Sequence, residues 1–335
     1  MPSTDQPTAA PADASLDVHF QKVARKMLNG IVVPLLGAGV NLSGRPKDDD
    51  FRWDNELHRF LPSGKELASW LVEHFDYYPE LKQIDDLLRV SQFLELKEGG
   101  ELYQRLHDLF DADYPPSPLH TFLAELQPLL REHGRGPQVI LTTNYDDALE
   151  RAFVQRGEPY DLITYVCTSP VDLRGRFTHF PPDTDEPVPI LTPNEYQGLD
   201  LKKRAVILKM HGAVRRQHDF NEDNYVITED HYIDYLTHTD IAGLLPKPIP
   251  AKLRNSHFLF LGYGMRDWNL RVILHRIWGE RARAYRPWAI QLDSRPIDEK
   301  LWQWRGVEIL HVPLEEYVEG LAAQLGLTDW GGGAP

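Results

Sequence analysis

Apolar and polar positions follow two rhythms along this chain. Over residues 16–28 the apolar positions recur at helical spacing and stop at Asn29-Gly30, which predicts a helix feeding straight into a strand over 31–36. That strand is apolar throughout, as are shorter runs at 139–141, 205–210, 258–261, 288–292 and 307–310, and the intervals between them leave room for helical crossovers. Strands without a polar face are strands covered on both sides. The pattern therefore predicts an α/β fold, a Rossmann-like parallel sheet with helices on both faces.

The interval between the first two strands exceeds what one crossover helix needs, and residues 63–132 read as an inserted helical module. Ser63 with Glu66 makes a capping box before Leu67, Trp70 and Leu71. Ser117-Pro118 supplies a capping hydroxyl and a first-turn proline before Leu119, Phe122, Leu123 and Leu126. Prolines and weak periodicity over 165–200 predict a long loop or lid. Within 215–255, residues 225–227 are strand-like and Thr228 is placed to cap a helix running through Tyr235. Residues 1–15 read as a disordered tail without signal-peptide character and 326–335 as a loose C-terminal tail, leaving 16–325 as the folded catalytic domain.

A chain of 335 residues, 42% of them hydrophobic, fits one enzyme-sized unit. Its net charge of -14 repels nucleic-acid backbones and anionic membranes, and no apolar run approaches the roughly 18 residues of a spanning helix. The expectation is a cytoplasmic protein with no direct nucleic-acid or membrane partner. The single cysteine, Cys167, excludes an internal disulfide and a multi-cysteine zinc site, so it is expected to be a lone buried thiol, and no metal is expected.

Candidate chemistry gathers immediately after the strands, where the carboxyl ends of an open parallel sheet form a ligand crevice. The strand ends carry Gly37-Ala38-Gly39-Val40-Asn41, Thr142-Thr143-Asn144-Tyr145-Asp146, His211-Gly212, Gly262-Tyr263-Gly264 and Gln291-Leu292-Asp293. Gly37 and Gly39 would let the backbone approach a pyrophosphate, and free amides in such a turn favour anions. The next glycine is Gly44, so the spacing departs from the dinucleotide fingerprint. Asn144 and Asp146 precede a stretch of helical spacing over 147–153, and the residues alone leave open whether they cap it or face the crevice. His211 is likewise either a surface histidine or a crevice group. In 266–278, Asp267 and Asn269 could reach a cofactor, whereas Trp268, Leu270, Ile273 and Ile277 fit a packed helix face. Trp302 and Trp304 fit either core or interface.

The segments LLGAGVN, LTTNYDDALERAF, ILKMHG and FLFLGYGMRDWNLR, in that order over about 31–293, resemble the sirtuin-like family, in particular its divergent bacterial branch that hydrolyses NAD rather than deacylating proteins. The resemblance implies that NAD is the substrate. Gly37, Ala38 and Gly39 would line its phosphates, and Gly262, Tyr263 and Gly264 the phosphate or adenosine side. Asn41, Thr143 and Gln291 belong to the same binding set, while Asn144, Asp146 and His211 would surround the nicotinamide ribose as catalytic groups. Two departures stand out: Asn41 replaces a frequent serine, and the family's Pro-Asp-Phe-Arg element is absent, leaving Arg45 and Arg52 as substitutes.

Deacylases of the family carry a four-cysteine zinc module that cannot form here, so the resemblance implies water as nucleophile and an NAD glycohydrolase. It also implies kinship with antiphage effectors that deplete NAD, held in check through a homo-oligomer or through a partner such as a HerA-like ATPase or a short Argonaute. An NAD-dependent deacylase and a non-catalytic NAD- or ADP-ribose-binding assembly subunit are the alternatives.

Overall fold

The computed structural model describes residues 12–46, 50–184, 186–216, 218, 220–237, 241–264, 285–292 and 294–327. Its strands are β1 (Val32–Leu36), β2 (Val139–Thr142), β3 (Tyr160–Val166), β4 (Arg176–Phe180), β5 (Val188–Pro189), β6 (Ala205–Lys209), β7 (Gly212–Ala213), β8 (Asn224–Tyr225), β9 (His257–Leu261), β10 (Trp288–Gln291) and β11 (Glu308–His311). Nine of them form one sheet in the order β11-β10-β9-β1-β2-β6-β3-β4-β5, and β7 and β8 pair separately. The sheet is parallel from β11 to β3; β4 and β5 then run antiparallel. This is the Rossmann-like α/β architecture that the apolar runs predict.

The helices among the described residues are α1 (Ala12–Leu28), α2 (Gly64–His74), α3 (Leu87–Phe110), α4 (Pro118–Glu132), α5 (Ala148–Arg156), α6 (Glu229–Thr237), α7 (Pro248–Arg254), α8 (Pro296–Gln303) and α9 (Leu314–Leu325). α1 closes where Gly30 takes φ 67°: its amide donates to the Met27 carbonyl at 2.7 Å, and that of Ile31 to Lys26 at 3.1 Å. Residues 12–15, read from the sequence as part of the tail, are thus the first turn of this helix. Residues 1–11 and 328–335 lie outside the described residues, as do 266–278 with Asp267, Trp268 and Asn269, and Asp293.

Successive residues along the central strands point to opposite faces, and both faces are apolar. Val32, Leu36, Ile140, Ile207 and Leu259 pack beneath α1, α4, α5 and α9; Val33, Leu35, Leu141, Leu208 and Phe258 pack against α7, against Tyr235 of α6 and against Trp302. A third core joins α2 and α3 through Leu67, Leu71, Leu94 and Leu106 to Ala148, Val214, Tyr225 and Ile227. The helices of 63–132 therefore divide between two cores. α2 and α3 form the insertion, while α4 is a crossover helix on the sheet. Trp302 is fully buried and Trp304 is 80% exposed. Cys167 is buried without a disulfide, and burial pushes its thiol up to about 12.

The 165–200 segment corrects the sequence expectation. Its first part is not a loop, since β3 runs on to Val166 and β4 and β5 extend the sheet, whereas residues 190–204 carry no helix or strand. Buried polar residues hide the strand pattern, because Asp161 and His179 satisfy one another at 3.0 Å, with Arg204 and the Tyr196 hydroxyl completing the group. Pro189 lies on the outermost strand, where a missing amide donor costs little. No helix among the described residues is long and apolar enough to cross a membrane.

The helix starts are as the sequence signals. Ser63 and Glu66 form the reciprocal capping box of α2, and Thr228 Oγ1 accepts the His231 amide at the start of α6. At α4 the partner of Ser117 is an imidazole: the Ser117 amide donates to His120 Nδ1 at 3.1 Å. Burial keeps that histidine neutral, pushed down to about 4. An unfolded histidine takes up a proton near pH 6.5, while the folded one resists until about pH 4. The fold therefore loses stability as pH falls across that window, at up to about 1.4 kcal/mol per pH unit for such a group. His120→Gln keeps a capping acceptor and removes the titration. Thermal melts at stepped pH are expected to show a shallower decline between pH 6.5 and 4 in that variant; an unchanged slope would exclude His120 as a contributor.

Candidate functional site

β1 lies where the chain order reverses, with β2 on one side and β9 on the other, and ligand crevices of open parallel sheets form at such switch points. Its carboxyl end runs into a short 3-10 turn, Ala38–Leu42. A Cβ on Gly37 or Gly39 would come within 2.7 Å of the Gly262 carbonyl oxygen, and one on Gly262, at φ 68°, within 2.3 Å of the Val40 nitrogen. The Gly37 amide donates to Leu261 at 3.0 Å and that of Gly39 to Gly262 at 2.9 Å. The glycines are thus needed to let two strand ends touch, and these two amides serve the fold; the expectation of free anion-binding amides does not hold for them. Ala38 and Leu42 are exposed in the first turn and Gly264 in the second.

The next strand end locks onto this pair. Asn144 is buried, its backbone amide donates to Thr142 Oγ1 at 3.0 Å, and its side-chain Nδ2 donates to the Gly37 carbonyl at 3.3 Å. That second bond turns the amide so that Oδ1 faces away from Gly37. Thr143 Oγ1 lies 2.7 Å from the Tyr263 hydroxyl, tying the β2 end to the β9 end. Gln291, from β10, donates from Nε2 to the Tyr263 carbonyl at 2.5 Å, so its amide anchors this turn.

Asp146 is buried and its carboxylate is doubly used. Oδ1 accepts the Ala148 amide at 3.1 Å at the start of α5, and Oδ2 accepts Asn41 Nδ2 at 2.8 Å. Asp146 thus accepts from the first turn of α5 and at the same time holds Asn41 at the strand end. Asn41 Oδ1 remains buried without a hydrogen-bond partner among the described residues.

His211 follows β6, which pairs with β2 so that Lys209 lies opposite Thr142. Asn144 and His211 each sit two residues beyond this paired end, on adjacent strands. The imidazole is buried, between Tyr232 and Tyr235 at centroid distances of 5.4 and 5.3 Å, both edge-on. Its Nε2 has no hydrogen-bond partner among the described residues. Burial pushes its basicity down to about 3, so the ring is neutral at pH 7.

Beneath the loop lies a cation. Lys209, 1% exposed, pairs with Glu150 at 2.7 Å and donates to the carbonyls of Asp146 and Tyr145. Burial pushes the Glu150 carboxyl up to about 7 despite this lysine. Neither residue stands out in a strand-end scan, although a lysine inside the apolar run Val206-Ile207-Leu208-Lys209-Met210 is a legible signal: a buried charge needs a partner.

Arg45 does not serve as a crevice arginine. Its Nη1 donates to both carboxylate oxygens of Glu66 at 2.9 and 3.0 Å, its Nη2 donates to the Leu61 carbonyl, and the guanidinium lies over the rings of Phe51 and Phe60, which fastens the post-glycine loop to α2. Arg52 donates to the neighbouring Phe51 carbonyl.

The chain is 24% identical over 286 residues to "Defense-associated sirtuin 2" of Bacillus subtilis, covering 84% of this chain and 23% of that protein. It is 28% identical over 194 residues to "NAD(+) hydrolase ThsA" of Acinetobacter baumannii, covering 57% of this chain and 31% of that one, and 23% identical over 199 residues to the protein of the same name from Cytobacillus dafuensis. The chain thus spans between about a quarter and a third of the length of these curated relatives. Residues 138–310, more than half of the chain and including Asn144, His211 and Gly262, match the SIR2-like domain, and the chain belongs to that family, among its divergent bacterial members.

Proposed function

We propose that this chain is an NAD glycohydrolase, cleaving NAD with water to nicotinamide and ADP-ribose. The observation that carries this reading is that Asn144 and His211 each stand two residues beyond the paired ends of neighbouring strands: an amide oriented by Gly37, and a buried, neutral imidazole whose Nε2 has no partner among the described residues. In this reading the water oxygen bonds to C1′ of the nicotinamide ribose. The C1′–nitrogen bond breaks, and its electron pair neutralises the cationic ring. Positive charge that develops on the ribose is stabilised by Asn144 Oδ1 and by the negative potential of Asp146. The water proton passes to His211 and on to solvent. Burial leaves the imidazole a weak base, and the diphosphate charges of a bound dinucleotide would strengthen it.

The turns at Gly37, Ala38 and Gly39 and at Gly262, Tyr263 and Gly264, with Asn41, Thr143 and Gln291, are assigned the remainder of the dinucleotide. The names of the relatives support an NAD-consuming role in antiphage defence. We extend this to a cytoplasmic effector controlled by self-assembly or by a partner protein. The test is incubation of purified protein, alone and with its activating assembly, with NAD and no peptide, followed by separation of the products. Equimolar nicotinamide and ADP-ribose are expected. Nicotinamide release only when an acylated peptide is added would replace this reading with a deacylase.

A further inference from the structure

His211 owes its position to neighbours rather than to a hydrogen bond on Nε2: the ring stands between Tyr232 and Tyr235 of α6. The placement of α6 therefore sets the placement of the imidazole. Three consecutive residues at the start of α6 reach one face of α3 in the helical insertion. Arg89 and Glu229 approach at 3.8 Å. Gln92 and Asp230 bond twice, Nε2 to Oδ2 at 3.0 Å and the Asp230 amide to Oε1 at 2.8 Å. Glu95 meets His231 Nε2 at 3.3 Å and also accepts the Tyr103 hydroxyl at 2.6 Å.

Residues 89, 92 and 95 are three apart, so a single stripe of α3 faces α6. The innermost pair is the strongest. His231 is buried, and although burial alone would raise the Glu95 carboxyl, bonds from His231, Tyr103 and Thr228 hold it down to about 2. Just beyond the stripe α3 is kinked: Glu98 leaves helical geometry at φ -139°, ψ 43°, and Gly99-Gly100 follow with open space around them. The stripe thus lies on the first half of α3, before the kink, and Tyr103 from the second half reaches back to Glu95.

We infer that Glu95 is a positioning residue for His211, acting through His231 and α6, and that the helical insertion governs the NAD site through this latch. This rests on the role given to His211 above. The test uses the full chain with ring-labelled histidine, the His211 signal being assigned from its loss in His211→Ala. In Glu95→Gln the His211 ring signal is expected to shift or broaden, and amide exchange across 229–237 to quicken at least tenfold while the sheet core exchanges as before. With NAD, kcat is expected to fall about tenfold with KM within twofold. His231→Gln should reproduce both effects, and the double variant should be no worse than either single one, because both remove one contact. Glu101→Gln, on α3 beyond the kink, should change none of these readouts.

An unmoved His211 signal with unchanged exchange in Glu95→Gln overturns the inference, as does a loss of protection spread evenly over the whole chain. Should Glu95→Gln fail to fold, Gln92→Ala carries the same readouts, with about a threefold rise in exchange expected and no rise overturning it. Should the wild type leave NAD intact in every assembly, the glycohydrolase reading falls, while ring signal and exchange still decide the latch.

Discussion

Asn144→Ala is expected to lower NAD cleavage by about 10²- to 10³-fold, the scale of removing one preorganised electrostatic group from a water-poor site. The fold should survive. The substitution removes one bond at the strand end, Nδ2 to the Gly37 carbonyl, worth about 1 kcal/mol. His211→Ala is expected to cost about 10²- to 10⁴-fold, the range for a positioned general base. Its stability effect has a definite sign with pH: the buried imidazole, depressed to about 3, disfavours the folded state increasingly below pH 6.5. The alanine variant should therefore lose less stability than the wild type on acidification. The measurements are product formation from NAD and thermal melts at pH 7 and pH 5. Product formation unchanged in both variants would remove these two residues from the site.

The second large effect lies under the site. Lys209→Met removes the partner of a buried carboxylate, and breaking such a pair costs about 3–5 kcal/mol. Glu150 can take up a proton in response, since its carboxyl already stands at about 7. An unfolded glutamate ionises near 4.5, so the penalty of keeping Glu150 buried grows as pH rises above that value. The variant should accordingly be least stable at high pH.

Lys209→Met combined with Glu150→Leu replaces both charges with apolar groups and is expected to recover most of the stability. Activity should not return with it, because the carbonyls of Asp146 and Tyr145 lose the ammonium that fixes the loop bearing Asn144. Urea unfolding beside NAD turnover separates the two effects. A single variant within about 1 kcal/mol of wild type would show that the pair contributes little.

The corrections found in the structure share a cause. Gly37 and Gly39 look like a phosphate turn, and their position after a strand is real, but the close approach they permit is to Gly262, more than 200 residues away in the chain. Arg45 looks like a free cation after the glycines and is committed to Glu66. The segment over 165–200 looks like a loop because of its prolines and because a polar His179 interrupts its apolar pattern, and that histidine is tolerated inside the sheet because Asp161, on the neighbouring strand, meets it. The latch from Glu95 to His231 has no signature in either helix alone.

Periodicity by itself determined the parallel sheet, the helices on both faces, the capped starts of α2 and α6, and the strand ends on which Asn144 and His211 stand. Those features follow from where apolar side chains must point and from backbone groups satisfied within a few residues. The partners of the polar groups were decided only by the tertiary structure. Asn41 and Asp146 are separated by 105 residues and Gly37 and Asn144 by 107, and it is the pairing of distant strands that brings them within bonding distance. A side chain's type states what it can bond, and only the folded neighbourhood states which partner it has and which of its atoms remain for a ligand.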